Sequence, residues 1–112
     1  MPPKKNPLNL NALQLKTLTL LQHLAGLPQF GVAAEGGIEI SDLPHPHGDH
    51  FHVGDAVVAG RDATGLTNAA VWAVLDRKGL IVSSFPTSAL VTTLGLEYDT
   101  GLADQILHRS DH

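Results

Sequence analysis

Eight consecutive residues of this chain, His45-Pro46-His47-Gly48-Asp49-His50-Phe51-His52, hold four imidazoles and a carboxylate. Neutral imidazole nitrogen is a ligand for zinc, copper, nickel and iron, and neighbouring strands can bring several together, because directly opposed Cβ atoms stand about 5 Å apart. A two-residue turn at Gly48-Asp49 suits a type II′ hairpin, which takes glycine at its first central position. That turn would set His47 opposite His50, His45 opposite His52 and Ile40 opposite Val57. Alternation of side chains would then put Ile38, Ile40, Phe51, Val53 and Val57 on a core-facing side and all four histidines on the other. Asp49, at the tip, is a further candidate ligand or an orienting partner. Three imidazoles and a water would make an open zinc-type site, four a closed one. Two features oppose the ladder: Asp42 would face Asp55, and Pro44 and Pro46 have no N–H to donate, objections that a bulge near Gly54 or an irregular hairpin tip would answer. Without a metal the same rings could sense pH, or form the solvated face of an ordinary strand.

Composition narrows the alternatives. The chain has 112 residues and no cysteine, which removes disulfides, thiolate metal sites and thiol nucleophiles. No G-x-S-x-G turn presents Ser83, Ser84 or Ser88 as a nucleophile, and the glycine-rich stretch GVAAEGG lacks the lysine and the strand-turn-helix setting of a phosphate loop. The seven Lys and Arg residues are scattered and the formal net charge is −4, whereas polyanion binding draws its affinity from a clustered basic face. No apolar run approaches the roughly 18 residues of a membrane span, and MPPKKNP is not followed by a signal-peptide core, so a cytoplasmic protein without membrane contact is expected.

Positioning the histidines requires a frame, which the rest of the chain supplies. Residues 1–9 read as a flexible tail, 10–108 as one α+β domain and 109–112 as a second tail. Leu10, Leu13, Leu18, Leu21 and Leu24 mark one side of a helix, widened by Leu15 and Leu20, with Asn9 or Asn11 as N-cap and Gly26 with Pro28 at its end. A side this apolar is buried or dimerised, which makes a homo-oligomer or a protein partner on the leucine-rich first helix an expectation. His23, in its last turn, reads as a cation complementing the helix dipole. Residues 29–37 read as a loop. A second helix, capped by Thr67 or Asn68, is expected to end at Lys78 with Gly79 as C′, followed by a hairpin from Leu80 to Phe85 and Ala89 to Thr92, and a helical segment from Thr93 to His108 interrupted by Gly95 and Gly101.

The run VWAVLDRKGLIVSSFPTSALVTTLGLEY resembles the back half of a winged-helix domain of the MarR or PadR regulator type. Leu75, Lys78, Gly79, Leu80 and Ile81 match the phrase that closes the helix before the wing, and Val91, Thr92 and Gly95 the phrase that opens the helix after it. The opening LNALQLKTLTLLQHLA is similar to the first helix of that family. The resemblance implies a winged-helix-like domain with an additional β-hairpin, and in the DNA-binding alternative it points to Arg61, Thr67, Asn68, Arg77 and Lys78. The chain departs from a DNA reader where it matters. The recognition-type helix would present Ala69, Trp72, Ala73 and Asp76, the wing SSFPTS carries no Arg or Lys, and VGDAVVAG favours strand over the missing helix. The expected function is therefore a small binding or regulatory module, more a binder than an enzyme. Its possible cofactor is a divalent transition metal, zinc or nickel, held by His45, His47, His50, His52 and Asp49. A DNA-binding regulator and a small histidine-ligated metalloenzyme are the alternatives.

Overall fold

The computed structural model describes residues 6–41, 43, 49–53 and 56–109. Its elements are α1 (Ala12–Ala25), β1 (Gly31–Ala34), β2 (Gly37–Ser41), β3 (His50–Val53), β4 (Ala56–Ala59), two 3-10 turns (Gly60–Asp62 and Thr64–Thr67), α2 (Ala69–Arg77), β5 (Ile81–Ser84), β6 (Ser88–Thr92), α3 (Thr93–Glu97), α4 (Ala103–Ile106) and β7 (His108–Arg109). The fold is α+β, with a four-stranded sheet ordered β1-β2-β6-β5 and a three-stranded sheet ordered β3-β4-β7, both antiparallel.

Helix α1 begins at Asn11, whose side chain accepts the Gln14 N–H while Gln14 accepts the Asn11 N–H, a reciprocal capping box. The helix is apolar on nearly every side, so it runs through the middle of the domain. Thr17 and Thr19 are tolerated there because each hydroxyl returns to a carbonyl one turn back, on Leu13 and Leu15, at 2.8 Å. Leu18, Leu20, Leu21 and Leu24 have no exposed surface, whereas Leu13 and Leu15 are half-buried, so most of the leucine-rich side is closed within the chain's own core. Lys16 reaches Asp62 at 2.8 Å and ties the helix to the first 3-10 turn. Gly26 does not end α1 by a left-handed conformation, since its φ is −83°. Pro28 explains the stop: it has no N–H and disfavours helical backbone at Leu27.

Residues 29–37, which read as a loop, contain strand β1 and a tight turn. Ala34 pairs with Gly37, leaving Glu35-Gly36 between them, and Gly36 takes φ +89° at the second central position, where a side chain would be strained. The expected pairing of Ile38–Leu43 with residues 51–59 is overturned. Ile38 pairs with Ala33 and Val91, and Ile40 with Gly31 and Ala89, so β2 lies inside the larger sheet. Strand β3 instead pairs with β4, Phe51 opposite Val58 and Val53 opposite Ala56, so the strand that faces the histidines is β4 and not β2. The observed register needs neither a proline in the ladder nor Asp42 opposite Asp55, the two costs that the expected register carried.

The second half follows its sequence pattern closely. Asn68 accepts the N–H groups of Ala70 and Val71 at the start of α2. At its other end Gly79, with φ +78°, donates to Asp76 and Leu80 donates to Leu75, a Schellman closure. Strands β5 and β6 follow, Ser84 opposite Ser88, and Thr92 accepts the Gly95 N–H to start α3. The segment after Gly101 forms only the single turn α4 before β7 pairs with β4. Residues 6–10 are fastened to the body: Tyr98 donates to Asn6, the Leu8 N–H donates to the Tyr98 hydroxyl, and Lys78 donates to the Leu8 carbonyl at 2.6 Å. Tyr98→Phe should therefore cost about 1 kcal/mol in urea unfolding and speed amide exchange at Leu8; an unchanged Leu8 amide would show that the anchor lies elsewhere. Among the described residues no helix is long and apolar enough to cross a membrane.

Candidate metal centre

Strand β3 is an outer strand of its sheet, and its alternation sorts its side chains as the sequence predicts, although in a different register. Val53 is fully buried, His50 is half-exposed and His52 is exposed. The strand is held at both ends. The His23 ring lies 3.2 Å from the Val53 carbonyl oxygen through Nε2, which donates when it carries the proton. The Gly60 N–H donates to the Asp49 carbonyl at 2.7 Å. His23 is thus a strut between α1 and β3, a role that its place in the last helical turn did not reveal.

On the solvent side, His50 and His52 bring their Nε2 atoms within 3.2 Å of each other, the rings lying edge to face with centroids 4.9 Å apart. At this distance one ring donates to the other only in tautomers that put a proton on a single Nε2. They also stand at nearly the separation that two imidazoles adopt on one tetrahedral zinc, about 3.3 Å for bonds of about 2.0–2.1 Å. On the far side of His50, Asp49 Oδ1 lies 3.5 Å from Nδ1. A carboxylate there favours the proton on Nδ1 and leaves the Nε2 lone pair for a metal. The described ligands are therefore two imidazoles and one orienting carboxylate. His45 and His47 lie outside the described residues, and among the described residues no group of three or more His, Asp or Glu stands close enough to hold an ion. Register adds one residue that the spacing did not suggest. His108 pairs with Val57, which pairs with His52, so His108 shares the histidine face but stands two strands away, about 10 Å.

Compared with protein-family models, curated proteins and solved structures, the chain matches none.

Three residues of the DNA-binding alternative have structural partners of their own. Asn68 caps α2, Thr67 donates to the Thr64 carbonyl at 3.2 Å, and Lys78 is bound to Leu8. Arg61 and Arg77 are exposed, on the first 3-10 turn and on the last turn of α2. The exposed side of α2 carries Ala69, Ala70, Ala73, Asp76 and Arg77, which gives base edges only one cationic donor.

Proposed function

We propose that the protein is a small cytoplasmic binding module of winged-helix-like build that takes up a divalent transition metal, zinc or nickel, on the histidine face of β3. His50 and His52 are the two ligands with described geometry, Asp49 orients His50, and His45 and His47, outside the described residues, are the further ligands that the sequence offers. The single observation that carries this reading is the 3.2 Å approach of two Nε2 atoms beside a carboxylate on the opposite ring nitrogen. The succession of α2, the β5-β6 hairpin and α3 supports the winged-helix part, because the closing Gly79 and the capping Thr92 fall within the phrases that carry the resemblance.

Calorimetry on tag-free protein tests the metal. About one zinc or nickel ion per chain is expected at micromolar metal, with uptake weakening as the pH falls because protons compete for the imidazoles. His52→Ala, which removes a ligand, should weaken binding by more than about 100-fold, and Asp49→Asn, which removes only the orienting charge, by about tenfold. No heat at micromolar metal, or full affinity in His52→Ala, would sink the proposal.

A further inference from the structure

We infer that the outer edge of β1 is a self-association surface, at which a second copy of this chain adds its own β1 antiparallel and joins the two larger sheets. The bond from the Thr93 N–H to the Gly36 carbonyl, 3.2 Å, sets the parity of β2: even-numbered residues bond to β6 and odd-numbered ones to β1. Val32 and Ala34 therefore bond to β2, while the N–H and C=O groups of Gly31 and Ala33 point away from the sheet. The Leu27 carbonyl takes the Gly31 N–H at 2.8 Å, which leaves both Ala33 groups and the Gly31 carbonyl along the edge with no partner among the described residues.

The opposite edge of the same sheet is guarded. The bond from the Thr92 N–H to the Leu80 carbonyl, 3.1 Å, turns Ser83 outward by the same parity, and Asp76 of α2 accepts its N–H at 2.8 Å. Chains commonly protect edges with lysine, proline, a bulge or a covering element. Gly31–Ala34 contains neither lysine nor proline and pairs with β2 without a bulge, and Val32 is 64% exposed.

What fits such an edge is a strand, and β1 is complementary to itself. With the twofold axis at Ala33, that residue and Ala33 of the partner subunit exchange two N–H···O bonds, and Val32 lies opposite Ala34 of the partner subunit. Residues 29–34 carry no charge, so no like charges meet across the junction. The Glu35 side chains, the nearest acids along β1, fall about 13 Å apart along the strands, beyond a Debye length of about 8 Å. A four-residue junction is small, so the dimer is weak, with a dissociation constant of about 0.1–1 mM.

Sedimentation equilibrium of the full chain with a chelator present, from about 10 µM to about 1 mM, keeps this association separate from any metal-linked one. Monomer is expected at the low end and dimer at the high end, with exchange of the Ala33 amide slowing as concentration rises. Val32→Lys should raise the dissociation constant at least about tenfold while the melting temperature stays within a few degrees. Ala33→Pro, which removes an outward N–H without touching the β1-β2 bonds, should do the same. A monomer at every concentration, or a dimer that a folded Val32→Lys variant leaves intact, overturns the proposal; the latter would place the contact on another surface.

Discussion

Replacing Trp72 with alanine is expected to remove about 3–5 kcal/mol of stability and to lower the melting temperature by more than about 10 °C. The indole is fully buried in α2 and meets Phe85 edge to face, with ring centroids 5.0 Å apart, so one side chain links the helix to the end of β5. The ring against it, Phe85, is fixed at the end of β5, so alanine leaves most of the indole's space unfilled. Domains of this size are stable by about 5–15 kcal/mol, and the loss would take a large part of that. Trp72→Phe should cost much less, about 1–2 kcal/mol, for a particular reason. The indole N–H finds no acceptor among the described residues, and phenylalanine removes that buried donor along with part of the ring. Urea unfolding followed by circular dichroism separates the two variants. Equal losses would mean that the ring's volume matters little, and a neutral alanine variant would place the core elsewhere.

How much of this was legible in the sequence depended on whether the signal was local. The two helix starts were legible to within a residue or two, Asn9 or Asn11 and Thr67 or Asn68, because a cap acts within three residues; Asn11 and Asn68 hold the caps, and Gly79 marked the end of α2 because a left-handed closure is needed there. Strand β1 escaped because Gly31, Ala33 and Ala34 have no β-branched side chains, and their strand character comes from pairing with Val32's neighbour β2. The hairpin was misplaced for a related reason. Two Gly-Asp dipeptides, at 48–49 and 54–55, offer the same turn chemistry. Only the long-range placement of β2 beside β6 decides between them, and no local pattern carries that information.

The candidate site shows the same division. That His50 and His52 share a face opposite Val53 needed only the period-two alternation of a strand, which is independent of register. Which residues face them across the ladder does depend on register: Ala59 and Val57 stand there, where histidines were expected. The metal reading is changed by this. Its support moves from a cross-strand square of imidazoles to one strand's adjacent pair and the carboxylate beside it. His23 and His108 entered only through contacts made at separations of 30 residues or more, His23 with Val53 and His108 with Val57.

The same glycine-to-alanine change should have opposite effects at Gly37 and Gly26. At Gly37, in the interior of the larger sheet, an added Cβ would lie 2.0 Å from the Val91 carbonyl oxygen and 3.0 Å from the Thr92 Cα. Neither atom can move alone, since Val91 pairs with Ile38 on one side and Ile81 on the other, and Thr92 caps α3. Relief requires parting β2 from β6, so Gly37→Ala is expected to cost about 3 kcal/mol, the upper end of the overpacking range. At Gly26 the backbone is already in the right-handed helical region, and the nearest atom to a new Cβ is the His23 carbonyl oxygen at 3.5 Å. Gly26→Ala should raise stability by about 0.4–1 kcal/mol by restricting the unfolded chain. Denaturant unfolding of the two variants tests the β2-β6 register, because a loop at residues 29–37 would accept alanine at position 37. Zinc uptake by Gly37→Ala, measured where the variant is still folded, should stay near wild type, since the histidine pair sits on the other sheet.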